Sequence, residues 1–127
     1  MVKTALVETL KEAGNRLIQT LDVSDLEITA ALWFYETETD SWRLLLATPL
    51  VATEGSRAAY ERILQVLSSH PEIELHLTDI TVLPPSDPLL QLLRTAIRTG
   101  HTIAGITFSR TVINGTYIED AYIYRIT

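Results

Sequence analysis

Residues 27–48 read EITAALWFYETETDSWRLLLAT, and their pattern decides the architecture. Two runs, 27–36 and 42–48, are dominated by aliphatic and aromatic residues and flank a polar, acidic link, Thr37-Glu38-Thr39-Asp40. Such an arrangement predicts a β-hairpin. A four-residue loop sets Glu36 opposite Ser41, Tyr35 opposite Trp42, Phe34 opposite Arg43 and Trp33 opposite Leu44. Side chains alternate between the two faces of a strand. One face therefore carries Trp33, Tyr35, Trp42, Leu44 and Leu46, and the other Ile28, Ala30, Leu32, Phe34, Leu45 and Ala47. Burying a large apolar side chain is worth roughly 1.5–3 kcal/mol, so a hairpin apolar on both faces needs cover on both. Helices or a second copy of the chain would serve.

The flanking sequence supplies helices. Leu6, Leu10, Ala13, Leu17 and Leu21 recur every three or four residues, predicting a helix over 4–21 with Gly14 at a close contact. A second is predicted over 55–69, with Ala59, Tyr60, Ile63, Leu64, Val66 and Leu67 inward. Residues 73–83 read as a strand whose apolar phase changes near Thr78-Asp79, as a bulge or as two short strands. A third helix starts with Asp87 as its cap and Pro88 as its first residue, and is expected to end just before Gly100. Residues 103–126 form a second hairpin about Asn114-Gly115, a pair suited to a type I′ turn. Its register sets Val112 against Tyr117 and Arg110 against Glu119. Ile106, Phe108, Val112, Tyr117, Ala121 and Ile123 are expected to face the core, and Thr107, Ser109, Thr111, Asp120, Tyr122 and Tyr124 a wetter side.

The order α-β-β-α-β-α-β-β predicts an α+β fold with a mostly antiparallel sheet of about five strands and helices packed on it. With 127 residues and no linker or low-complexity tract, the chain reads as one domain, 1–127.

Composition narrows the functional classes. The net charge is −6, and the only lysines are Lys3 and Lys11, against the basic surface that nucleic-acid binding requires. No run approaches the ~20 apolar residues of a membrane span, and the start shows no secretory apolar run. Cysteine is absent, which removes disulfides and thiol chemistry and leans towards a reducing, cytoplasmic setting. No Gly-rich phosphate loop, nucleophile elbow or zinc-protease helix occurs, so no cofactor or metal is expected.

Several residue groups are candidates for a site. Trp33, Tyr35 and Trp42 can form a core wall, a ligand platform or a protein interface. Arg43 or Arg110 could then fix an anionic group. Arg110 and Glu119 are cross-strand partners, read first as a surface ion pair. Tyr122 and Tyr124 belong to a hydroxyl-rich sheet face suited to water or to a partner. Glu74, His76 and Thr78 alternate along one strand, read as a solvated face rather than metal ligands, and His101 is read as capping the end of the third helix. These readings favour a small non-enzymatic protein-binding or regulatory module, expected as a homodimer. The alternatives are a small-ligand-binding protein or minor enzyme with a pocket between sheet and helices, and an acidic protein that neutralises a basic partner through the loop Glu36–Asp40.

Overall fold

A computed structural model describes residues 3–127; Met1 and Val2, where the reading for a leader begins, lie outside them. In chain order the elements are α1 (Glu8–Asp22), β1 (Ala30–Glu36), β2 (Ser41–Ala47), α2 (Leu50–Glu54), α3 (Ser56–Ser69), β3 (Ile80–Leu83), α4 (Pro88–Arg94), β4 (Ile106–Ile113) and β5 (Thr116–Ile126). The strands form one sheet in the order β3-β2-β1-β5-β4.

The first hairpin has the predicted register, with Trp33 opposite Leu44 and Tyr35 opposite Trp42. Both faces are covered within the chain. Ala31, Trp33, Leu44 and Leu46 pack with Leu17, Ile18 and Leu21 of α1 and Ala59 and Ile63 of α3. Ala30, Leu32, Leu45 and Ala47 pack with Leu90 and Leu93 of α4 and with Ala121, Ile123 and Ile126 of β5. Ile28, expected with this second group, belongs to the first, because it precedes β1 and escapes its alternation.

The sheet is mixed, not mostly antiparallel. β2 and β3 run parallel, while β1–β2, β1–β5 and β4–β5 are antiparallel. Parallel neighbours need a crossover, and α2 with α3 forms it. The first of these, α2, is an element that the sequence pattern did not suggest; Thr48 Oγ1 accepts the Leu50 N–H at its start (3.3 Å).

Other boundaries shift for local reasons. α1 begins at Glu8 rather than residue 4, since the Thr4 N–H and hydroxyl bond the Asp40 carboxylate at 3.0 and 2.9 Å. The phase fault near Thr78-Asp79 is a single 3-10 turn, Leu77–Asp79. Only Ile80–Leu83 joins the sheet, yet Ile73 and Leu75 still reach the core. Asp87 caps α4 by accepting the Leu89 N–H at 3.0 Å, with Pro88 first in the helix, as predicted. The helix stops at Arg94, well before Gly100, where the chain turns to join the C-terminal strand: Arg94 bonds the carbonyls of Thr127 and Pro85, and the Thr99 N–H bonds that of Ile126. His101 therefore does not cap the helix; it is exposed, and its carbonyl accepts from Arg125.

The second hairpin turns at Asn114 and Gly115, whose φ values of 46° and 81° suit a type I′ turn. Its faces depart from strict alternation at Arg110, which takes a left-handed φ of 50°. On one side of that residue Ile106 and Phe108 face the core, and on the other Ile113 does. Its partner strand changes phase as well, from Ala121 and Ile123 to Ile118. Ile113 and Ile118 thus reach the cluster built on α4, and Val112 and Tyr117, expected in the core, are turned out, 64% and 56% exposed. Tyr124, expected on the wetter side, is 1% exposed. The β1–β5 register shifts beside it, between Ala31 and Leu32.

Candidate functional site

The aromatic residues singled out from the sequence form a hydrogen-bonded wall beneath α1. Trp33 is 1% exposed, and its Nε1–H donates to the Tyr124 hydroxyl at 3.0 Å. That hydroxyl donates in turn to the Lys11 carbonyl at 2.6 Å. Burial pushes the Tyr124 phenol well above its ordinary pKa, so it stays a neutral donor. Tyr35 is buried and donates to Asp40 at 2.5 Å. Trp42 is half-buried, 5.4 Å from the Tyr35 ring, and its Nε1–H is taken by the Thr4 carbonyl at 2.9 Å. Tyr122 packs edge-on to Tyr124, with the Lys11 ammonium 4.8 Å from its ring centre.

This knot around Asp40 carries a pH dependence. Hydrogen bonds from Tyr35 and Thr4 hold the Asp40 carboxyl below its ordinary 3.8, while the hydrogen bond to Asp40 and partial desolvation push Tyr35 up to about 12. A depressed carboxylate contributes fully above its unfolded pKa and loses that contribution as pH falls through the lower folded value. We therefore expect Asp40→Asn to shallow the acid limb of a stability–pH profile below about pH 4, measured by urea denaturation; parallel profiles for the two proteins would refute the assignment.

The candidate arginines lie apart. Arg43 ties the start of β3 to the hairpin, through the Thr81 hydroxyl at 2.7 Å and the carbonyls of Thr78 and Ile80 at 2.6 and 3.1 Å. Arg110 is exposed (80% of its side chain), and its Nε lies 4.0 Å from Glu119. The sequence reading missed Arg125. Only 3% of its side chain is exposed, and it forms a two-point bond to Asp22 (2.8 and 2.7 Å) while donating to the carbonyls of Ile28 and His101. A single charge inside the otherwise uncharged, apolar run AYIYRI at the end of β5 is the signal that marks such a residue.

Glu74 and His76 lie exposed in the irregular segment before β3, and no group of three or more His, Asp or Glu side chains among the described residues could hold a metal ion. No described helix is long and apolar enough to cross a membrane.

Among the surface clefts, one lies at an end of the sheet beside Tyr35. β5 runs on past the end of β1, leaving a groove of about 280 Å³ between Phe34, Tyr35, Glu36, Thr37 and Glu38 on one side and Tyr117 and Glu119 on the other. The exposed Val112 pairs with Tyr117 at its rim. Glu119 is shared with Lys3 at 3.9 Å and Arg110 at 4.0 Å, whereas no described basic group lies within salt-bridge distance of Glu36 or Glu38.

Fold and groove define an α+β domain with a mixed five-stranded sheet and an open apolar rim. Compared with known proteins, the chain matches no protein-family model, and no curated protein or solved structure matches it significantly.

Proposed function

We propose that the chain is a non-catalytic protein-binding module that meets its partner through the outer side of the β4–β5 hairpin. The observation that carries this reading is Arg110. A bulky residue at positive φ costs about 1–3 kcal/mol, and here that strain accompanies the turning of two large apolar side chains, Val112 and Tyr117, into solvent. Exposed apolar residues beside a groove suit protein contact, and Tyr is among the residues most used as interface anchors. The small-ligand alternative has less support: Trp33 is shut in the core, and neither Arg43 nor Arg110 lines the groove. The lack of cysteine suits action in the cytoplasm.

Selection of a random peptide library on the folded protein tests this. Enriched peptides are expected to lose at least about tenfold in affinity for Val112→Ser/Tyr117→Ser. Both residues are well exposed, so this variant should fold with near wild-type stability, within about 0.5 kcal/mol per site. Failure to enrich any peptide, or peptides indifferent to the double substitution, would count against the surface.

A further inference from the structure

This inference rests on the surface just proposed and names its occupant. The hairpin and the groove are complementary to each other. The hairpin presents Val112, Tyr117 and a nearly free Arg110, and the groove presents Tyr117 again, Phe34, and the carboxylates of Glu36 and Glu38. We infer that the occupant is a second copy of this chain, docked about a two-fold axis so that Arg110 of each copy enters the Glu36–Glu38 side of the other's groove.

Sheet order supports the geometry. β5 lies between β4 and β1, so an axis along β5 lays β4 of one copy over the β1 end of the other. The same rotation stacks the Val112–Tyr117 rungs of the two copies, as a self-complementary interface demands. Charge supports it too. Among the described residues Arg110 has only Glu119 within salt-bridge distance, at 4.0 Å, and that carboxylate already faces Lys3, while Glu36 and Glu38 have no described basic partner. Docking two copies gives both sides an opposite charge and removes apolar rings from water together. The patch is small, so the dimer is expected to be weak and concentration-dependent.

Sedimentation equilibrium and light scattering, from low micromolar to near-millimolar protein, test this directly. The wild type is expected to shift from monomer to dimer. Arg110→Glu should weaken association at least about tenfold, and Glu36→Arg/Glu38→Arg likewise. An equimolar mixture of those two variants should restore a mixed dimer. Arg110→Gly removes the charge while suiting the left-handed backbone, so it should weaken association, by less than Arg110→Glu does, with the fold intact by urea denaturation. A wild type that stays monomeric throughout, or a dimer unmoved by Arg110→Glu, overturns the second copy as occupant. If peptides with Lys or Arg are meanwhile selected through Val112 and Tyr117, the surface stands and its partner is a basic segment; if none are, the surface reading fails with it.

Discussion

Asp22→Ala is expected to cost about 3–5 kcal/mol of folding stability, seen as a lower urea midpoint with an unchanged slope. Arg125 is the reason. Its side chain is 3% exposed, and Asp22 is the acid that balances it. Without that carboxylate the guanidinium keeps the carbonyls of Ile28 and His101 but has no countercharge, and its Nε is already buried without a partner among the described residues. The reverse substitution should be milder. Arg125→Met frees Asp22, whose side chain is 36% exposed and can return to water. What then remains is carbonyls left short of a donor, about 1–3 kcal/mol. Comparable losses for the two variants, or a loss under about 1 kcal/mol for Asp22→Ala, would show that the pair is screened like a surface ion pair.

Gly14→Ala is expected to destabilise by about 2–3 kcal/mol, against the gain of about 1 kcal/mol that alanine brings inside a helix. A Cβ on Gly14 would meet the Tyr124 ring carbon Cζ at 2.9 Å and Trp33 Nε1 at 3.0 Å, with the Tyr124 hydroxyl closer still. None of these atoms has room to yield, because Trp33 and Tyr124 are each 1% exposed and bonded to one another. Tyr124→Phe alone should cost about 1–3 kcal/mol by leaving the Trp33 N–H and the Lys11 carbonyl without their partner. In the double variant the missing hydroxyl makes room for the methyl group, so the losses should sum to clearly less than their total, with a coupling of about 1 kcal/mol or more. Strict additivity in denaturation experiments would mean that α1 moves aside as a body and that the contact does not set its distance from the sheet.

These two expectations separate what neighbouring residues encode from what distant ones do. The helix phase of α1 and the close contact at Gly14 were legible, because a stripe at three- and four-residue spacing and a glycine within it are local signals. What Gly14 meets was not, since Tyr124 lies 110 residues away along the chain. The role of Arg125 is non-local in the same way: its partner sits at the end of α1. The candidate surface was legible only in part. Arg110, Glu119 and the acidic loop stand out in the sequence, but an alternation that assumes ordinary strand backbone throughout places Val112 and Tyr117 in the core. One left-handed residue broke it.

The sequence by itself determined the registers of both hairpins, the cap of α4 and the apolar character of both sheet faces, because each depends on turn geometry, capping chemistry or side-chain period over a few neighbouring residues. Only the tertiary structure decided that β3 lies parallel to β2, that the chain's own helices cover both faces of the first hairpin, and that Val112 and Tyr117 are left outside. Those outcomes depend on how helices and strands distant in the chain divide a limited apolar surface between them, and no local pattern carries that competition.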